Sequence, residues 1–98
     1  MKSVAVTEVP ADAQLIDVRE VPEFAEVHAE GAINYPMSEF THHTGKLDKT
    51  RPVYVICKSG GRSAHVAEYL GEVGLEAINV EGGTNAWVAA ELPVVREG

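Results

Sequence analysis

Short apolar runs rich in β-branched residues alternate with amphipathic segments along the chain. Runs of this length and composition are typical of buried strands. The pattern therefore predicts five strands, over residues 4–6, 14–18, 32–35, 53–57 and 77–80. The segments between and after them predict helical structure over residues 23–28, 39–43, 64–73 and 84–90.

Local signals mark where these helices begin and end. Pro22 suits a first helical position, and Ser38 is a candidate N-cap for the second helix. Gly74 is a candidate C-terminal cap for the third helix, and Pro93 is predicted to end the last regular element. The predicted apolar face of the third helix consists of Val66, Tyr69, Leu70 and Val73.

Strands that alternate with helices predict an α/β fold with a mainly parallel sheet and helices on both faces. Such sheets bind their ligands at the carboxyl ends of the strands. Three loops should meet at that edge: the loop after Val18, the loop after Cys57, and the turn at Gly82 and Gly83. We therefore expect Arg19 and Gly82 to lie near Cys57.

Length and composition indicate one globular domain, spanning residues 1–98. The hydrophobic fraction of 45% is ordinary, and no apolar run approaches the roughly 20 residues that a membrane helix needs. The first residues do not continue into the apolar stretch of a signal peptide. The single cysteine, Cys57, cannot form an internal disulfide, which agrees with a reducing compartment. These features predict a cytoplasmic protein with no membrane partner.

The formal net charge of -7 argues against a nucleic-acid partner. Phosphate backbones bind to clustered basic residues, whereas the 8 Lys and Arg residues of this chain are scattered. Lys58 and Arg62 are an exception, because they lie close together in an acidic chain. They predict a local positive spot that attracts a small anionic substrate.

Cys57 stands where the strand 53–57 ends, and a loop of small and cationic residues follows it. A short glycine-rich loop that enters a helix can turn its backbone N–H groups inward and bind an anion. The helix N-terminus and the charges of Lys58 and Arg62 would lower the pKa of the cysteine and favour the nucleophilic thiolate. Ser63 can cap the helix with its hydroxyl. An inert, buried cysteine is the alternative, but it has no need of such a loop.

The loop residues are expected to bind the substrate in different ways. Lys58 and Arg62 would hold its anionic oxygens. Ser59 either donates a hydrogen bond to the bound group or permits the turn. Gly60 and Gly61 are expected to supply positive φ angles and close backbone approach, so that a side chain at either would crowd the loop.

Several motifs in matching order resemble the single-domain rhodaneses over nearly the whole chain. They are Leu15-Ile16-Asp17-Val18-Arg19, Glu23-Phe24, His28, Gly31-Ala32-Ile33-Asn34-Tyr35-Pro36, Cys57-x-x-Gly60-x-Arg62-Ser63, Gly82-Gly83 and Ala86-Trp87. The resemblance implies a three-layer α/β/α domain with a five-stranded parallel sheet, sulfurtransferase chemistry at Cys57, and no metal or organic cofactor. The family commonly has Gly-His-Ile where this chain has Val27-His28-Ala29, so the packing around His28 is expected to differ.

The reaction predicted from this resemblance transfers a sulfane sulfur from thiosulfate, a small anionic donor. Cys57 would attack the outer sulfur, release sulfite, and hold the resulting persulfide among the backbone N–H groups of the loop. A thiol, cyanide or an acceptor protein would then remove the sulfur. The cationic pair Lys58 and Arg62 favours thiosulfate over mercaptopyruvate, whose enzymes in this family usually carry a less charged loop.

Two alternatives stay open. In a non-catalytic persulfide carrier or regulatory interaction module, Cys57 would pass sulfur to a dedicated partner without turnover of small molecules. A Cys-dependent phosphatase or arsenate reductase uses a related loop, but those phosphatases have five residues between Cys and Arg, and this chain has four between Cys57 and Arg62. The shorter loop makes a smaller ring of amides, and no Asp is identifiable as a general acid.

Charged residues outside the loop are expected to be structural. Asp17, Arg19 and Glu23 would tie together the segment beside the site rather than transfer protons. His42 and His43 have no further ligands nearby in sequence, so they are predicted to be exposed loop residues rather than a metal site.

Overall fold

The computed structural model describes residues 1–97 and has an α/β fold. The strands are β1 (Lys2–Val4), β2 (Gln14–Asp17), β3 (His28–Ala29), β4 (Ile33–Asn34), β5 (Val53–Ile56), β6 (Ala77–Val80) and β7 (Val94–Val95). The helices are α1 (Val21–Glu26), α2 (Gly61–Glu72) and α3 (Gly83–Ala89). A five-stranded parallel sheet has the order β1-β6-β5-β2-β4, while β3 and β7 pair antiparallel. The predicted five-stranded parallel sheet is confirmed.

Alternate residues of the central strands face two separate apolar clusters, because successive side chains of a strand point to opposite faces. Ile16 and Val55 belong to the cluster that packs against α2. Leu15 and Ile56 belong to the other cluster, which includes Trp87 of α3. The sheet is therefore covered by helices on both faces, in three layers. No helix within residues 1–97 has the length and apolar character needed to span a bilayer.

The predicted apolar face of α2 is only partly correct. Val66 and Leu70 are buried, but Tyr69 is 42% exposed and Val73 is 54% exposed. The helix begins at Gly61, earlier than predicted, and its inward face follows the 3–4–7 spacing from a polar residue. The buried residues of α2 are Ser63, Val66, Ala67 and Leu70. A pattern of apolar letters alone misses this face because the first member is a serine.

The chain ends differ from the prediction. The first strand is β1, not residues 4–6, and Val6–Glu8 forms a 3-10 turn instead. Pro93 does not end the regular structure, because β7 follows it and pairs with β3. The same pairing ends α1 at Glu26 and places His28 in a strand rather than in the predicted helix. Two-residue strands carry no periodic signal, so the pattern could not reveal them.

The segment after β4 is held by a contact that the sequence does not announce. Met37–His42 is a 3-10 segment that begins after Pro36, so Ser38 is not its N-cap. The Ser38 hydroxyl instead donates a hydrogen bond of 2.6 Å to Oε1 of Glu20. This bond ties the segment to the residue that precedes α1.

Gly83 is where α3 comes closest to the end of β5. A Cβ built there would lie 2.6 Å from the carbonyl carbon of Lys58 and would overlap the carbonyl oxygen of Cys57, and the φ angle is +55°. We expect Gly83→Ala to lower the free energy of unfolding by at least about 2 kcal/mol, because the backbone must shift to admit the methyl group.

Gly71→Ala is the matched control in urea unfolding. A Cβ at Gly71 would meet nothing within 4 Å, and the residue lies inside α2. This change should stabilise the protein by about 0.5–1 kcal/mol, since alanine is the better helix former. Equal effects of the two substitutions would show that the close approach at Gly83 does not constrain the fold.

Candidate active site

Cys57 lies directly after β5, at the carboxyl edge of the sheet, and its side chain is buried. The backbone N–H of Gly60 donates to Sγ at 3.1 Å, and Oγ of Ser63 lies 3.2 Å from the same sulfur. Gly60 is the N-cap of α2 and has a φ of +108°. The loop thus curls back over the cysteine and aims donors at its sulfur.

These donors lower the pKa of the thiol. Burial of the sulfur is the largest single influence and raises the pKa of Cys57. The Ser63 hydroxyl and the backbone N–H groups of Ser63, Gly60 and Ser59 act in the opposite direction and together outweigh burial, so the pKa falls below the ordinary cysteine value. The pKa of Cys57 is lowered as expected, but the main causes are hydrogen bonds from Ser63, Gly60 and Ser59 rather than the charges of Lys58 and Arg62.

Helix α3 fixes the backbone carbonyls of Cys57 and Lys58 by hydrogen bonds. The backbone N–H and the hydroxyl of Thr84 donate to the carbonyl of Cys57 at 2.8 and 3.0 Å, and the N–H of Asn85 donates to the carbonyl of Lys58 at 3.1 Å. Gly82 lies against the loop as expected, since a Cβ on Gly60 would be 3.4 Å from its nitrogen. Sequence reasoning did not single out Thr84; its position directly after the two glycines was the available signal.

Arg62 reaches across to α1 rather than into the loop. Its Nη1 and Nη2 donate to the two carboxylate oxygens of Glu23 at 2.8 and 2.9 Å. This bidentate bond lowers the pKa of Glu23 to about 2, so the carboxylate stays ionised near neutral pH. Nη1 and Nη2 of Arg62 each use one N–H in these bonds, and the other guanidinium N–H groups are not bonded to Glu23.

Asp17 and Arg19 form a buried ion pair beside this bridge, with 2.8 Å between Arg19 Nη2 and Asp17 Oδ2. Arg19 also donates to the backbone carbonyls of Glu23, at 3.2 Å, and Val27, at 2.6 Å. A buried charge is tolerated when it is paired and hydrogen-bonded in this way. The expectation that these residues tie together the segment beside the site is confirmed.

Two loop residues do not have the local roles predicted for them. Gly61 has no positive φ, and a Cβ there would meet nothing within 4 Å, so a side chain at this position would not crowd the loop. Ser63 is not a helix cap, because α2 begins after Gly60 and places Ser63 on its buried face. Its hydroxyl turns to the sulfur instead. Lys58 and Ser59 are exposed at the loop surface.

Asn79 is a site residue that sequence reasoning missed. It lies in β6, is 6% exposed, and its Oδ1 is 2.6 Å from Oγ of Ser63. The available signal was its polar side chain within an otherwise apolar strand. Asn79 thus contacts the same Ser63 hydroxyl that lies beside the sulfur of Cys57.

His42 is exposed as predicted, but the prediction that His43 is exposed is wrong, because His43 is half-buried against Tyr35. His43 stacks on Tyr35 with ring centroids 4.6 Å apart, and His65 is exposed on α2. Among residues 1–97, no group of three or more His, Cys, Asp or Glu is placed to hold a metal ion. Trp87 is buried, and its Nε1 donates to the carbonyl of Pro93 at 2.7 Å.

Among the surface cavities formed by residues 1–97, two differ in whether they adjoin the cysteine loop. One of about 310 Å³ adjoins the cysteine loop and is lined in part by Lys58, Asn85 and Arg96. The larger, about 430 Å³, is lined by Trp87 and residues of the N-terminal segment and includes none of the loop residues. The smaller cavity therefore borders Lys58, the residue that follows Cys57.

The bridge between Glu23 and Arg62 should make stability depend on pH in the acid range. The pKa of Glu23 is depressed, so its contribution to stability is present above pH 4.5 and is lost as the pH falls towards about 2. Because about a third of each side chain is exposed, we expect solvent screening to limit the contribution to about 1 kcal/mol.

The measurement is urea unfolding of the wild type and Glu23→Gln between pH 7 and acid. The free-energy difference between the two proteins should be constant near neutral pH and shrink as the pH approaches the depressed pKa. Glu26→Gln is the matched control, since Glu26 is exposed on the same helix. A difference that does not change with pH would contradict the assignment of this ion pair.

The comparisons with known proteins agree on one family. The family described as "Rhodanese-like domain" matches residues 6–90. YtwF of Bacillus subtilis is 40% identical over 86 residues, which cover 88% of this chain and 84% of YtwF. The thiosulfate sulfurtransferase GlpE of Glaesserella parasuis is 34% identical over 84 residues, covering 85% of this chain and 78% of GlpE.

Comparison with solved structures points to the same family. The crystal structure of a rhodanese-related protein from Thermoplasma volcanium superposes with a TM-score of 0.91 at 32% sequence identity, and covers 99% of this chain and 100% of that chain. The cysteine at the end of the central strand and the loop that curls over it agree with these relatives. The chain belongs to the rhodanese-like sulfurtransferase family.

Proposed function

We propose that this protein is a thiosulfate sulfurtransferase that carries the transferred sulfur as a persulfide on Cys57. The observation that carries the proposal is the pair of donors at 3.1 and 3.2 Å from Sγ, which stabilise a negative charge on sulfur. The pKa of Cys57 is lowered despite burial, which raises the fraction of the nucleophilic thiolate near neutral pH. The GlpE relative, named a thiosulfate sulfurtransferase, supports the choice of donor.

In the first half-reaction, the Cys57 thiolate attacks the outer sulfur of thiosulfate. A bond forms between Sγ and that sulfur, the sulfur–sulfur bond of thiosulfate breaks, and its electron pair leaves with sulfite. The product is an anionic persulfide on Cys57. One negative charge resides on the enzyme before and after the step, so the N–H donors of the loop serve both states.

In the second half-reaction, a thiolate or cyanide attacks the terminal sulfur of the persulfide. The bond between Sγ and the terminal sulfur breaks, its electron pair returns to Cys57, and the acceptor leaves as a persulfide or as thiocyanate. Small thiols, cyanide and the thiol of an acceptor protein all satisfy this chemistry.

Donor binding is assigned to the exposed part of the loop. Lys58 follows the nucleophile, is exposed, and borders the cavity of about 310 Å³, so its ammonium group can meet the sulfonate oxygens of thiosulfate. Arg62 contributes a fixed positive charge beside the loop, held in place by its bidentate bond to Glu23. The engagement of Arg62 by Glu23 also speaks against a phosphatase, in which the arginine must be free to hold a phosphoryl group.

The persulfide can be tested by intact mass. We expect reduced protein incubated briefly with thiosulfate to gain the mass of one sulfur atom and to lose it again, as thiocyanate, on addition of cyanide. The nucleophile variant Cys57→Ser should gain nothing. Because the chain has a single cysteine, any added sulfur on the wild type can be assigned to Cys57.

Failure to add sulfur from thiosulfate would refute thiosulfate as the donor. Addition of sulfur without turnover to cyanide or small thiols, but with rapid loss to one acceptor protein, would refute the enzyme and identify a persulfide carrier. Turnover of an aryl phosphate by the wild type but not by Cys57→Ser would instead favour the phosphatase alternative.

Lys58 should act mainly on donor binding. We expect Lys58→Ala to raise the KM for thiosulfate about fivefold, the equivalent of one charge contact of about 1 kcal/mol, with a smaller change in kcat. Lys49→Ala is the matched control, since Lys49 is also exposed but lies in the segment before β5. The KM effect of Lys58→Ala should diminish as salt is added. Equal KM values for the two variants would remove Lys58 from the donor site.

A further inference from the structure

Three buried polar groups stand in a row behind the loop. Cys57 is 1% exposed, Ser63 is 0% exposed and Asn79 is 6% exposed. Oγ of Ser63 lies 3.2 Å from Sγ of Cys57 and 2.6 Å from Oδ1 of Asn79. Within residues 1–97, the side chain of Asn79 has no other hydrogen-bond partner than Ser63.

The serine cannot serve both neighbours as a donor. A hydroxyl has one hydrogen to donate and two lone pairs that accept. When Cys57 is a thiol, its S–H can donate to Ser63, and Ser63 donates to the Asn79 oxygen, so the thiol hydrogen, the hydroxyl and the amide oxygen are all hydrogen-bonded. When Cys57 is a thiolate it only accepts, and the hydroxyl hydrogen must turn to the sulfur.

The turn of the hydroxyl leaves two oxygens facing each other at 2.6 Å with no hydrogen between them. This contact is unfavourable at low local dielectric. A half-turn of the Asn79 amide removes it, because Nδ2 then donates to a lone pair of Ser63. The oxygen and nitrogen of an amide occupy nearly the same positions, so the half-turn needs no other movement.

We propose that Asn79 is a positioning residue whose amide turns with the charge state of Cys57, and that in the thiolate state it commits the single hydrogen of Ser63 to the sulfur. In the thiolate state Nδ2 of Asn79 donates to the hydroxyl oxygen of Ser63, and the hydroxyl donates to the sulfur of Cys57. The proton that the thiol has lost goes to solvent. The inference rests on the proposed function only in taking the Cys57 thiolate as the reactive form.

Charged residues on the elements around the loop stay the same when Asn79 is changed. They are Lys58 in the loop, Arg62 on α2 with its partner Glu23 on α1, the Asp17–Arg19 pair after β2, and Glu81 at the end of β6. The effect of Asn79 must therefore be read as a difference between variants that share this background.

The experiment is a pH titration of Cys57, followed by the ultraviolet absorbance of its thiolate with Cys57→Ser as the blank. We expect Ser63→Ala to raise the pKa of Cys57 by about 1 unit, the loss of one hydrogen bond to a charged acceptor. Asn79→Leu should raise it by about half a unit. Asn79→Leu should cost the thiol form little stability, because the Ser63 hydroxyl can then donate to the sulfur instead of to Asn79. The thiolate form loses the hydrogen bond from Nδ2 of Asn79 to Ser63.

The double variant decides whether Asn79 acts through Ser63. In the Ser63→Ala background, Asn79→Leu should add no further shift, because the group that transmits its effect is gone. An equal shift in both backgrounds, or no shift in either, would overturn the proposal. Asn79→Asp keeps the size of the side chain and should shift the pKa further upward, since a carboxylate always takes the hydrogen of Ser63 and adds a negative charge.

Asn34→Leu is the matched control. Asn34 lies in β4 at the edge of the same sheet, separated from β6 by β5 and β2, and its amide donates to the carbonyls of Asp17 and Arg19 at 3.0 and 2.9 Å, not to Ser63. This variant should leave the pKa of Cys57 unchanged; a shift as large as that of Asn79→Leu would mean general loosening of the sheet and would overturn the proposal. The titration uses no sulfur donor, so its outcome is separate from that of the thiosulfate experiments.

Discussion

The close approach of α3 to the end of β5 is the constraint on which the site depends. The first turn of α3 holds the carbonyls of Cys57 and Lys58 from one side, at 2.8 to 3.1 Å. A peptide plane whose carbonyl is fixed in one direction has its N–H directed away from it. The donors that follow can then face the sulfur, and only a glycine at position 83 leaves room for this contact.

Most of the charged residues beside the loop form ion pairs that join the neighbouring elements. Asp17 and Arg19 hold the segment after β2, and the bridge from Glu23 to Arg62 joins α1 to the first turn of α2. Arg19 and Arg62 are thus both paired with carboxylates. Lys58 is exposed at the loop surface and has no such bond among the contacts described, which separates it from the paired Arg62.

Much of the architecture, and the candidate nucleophile Cys57, could be predicted from local sequence. The apolar runs of β2, β5 and β6 are long enough for strand periodicity, and the small and cationic residues after β5 indicated the candidate loop around Cys57. The partner of Arg62 was beyond such reasoning, because Glu23 lies 39 residues earlier and only the packing of α1 on α2 brings the two together. Asn79 was missed for the same reason, since its contact with Ser63 spans 16 residues. Ser63 was misplaced because the left-handed Gly60 starts the helix before the apolar pattern does.

The burial of Cys57 is compatible with reactivity because its charge is met by dipoles that are already in place. An anionic sulfur in a low-dielectric site is costly unless it is hydrogen-bonded, and the loop provides these bonds without moving a charged side chain into the site. In the proposed cycle the enzyme carries one negative charge on sulfur both as thiolate and as persulfide. Fixed backbone donors suit both states, and the adjustable part can therefore be as small as one hydroxyl hydrogen and the amide behind it.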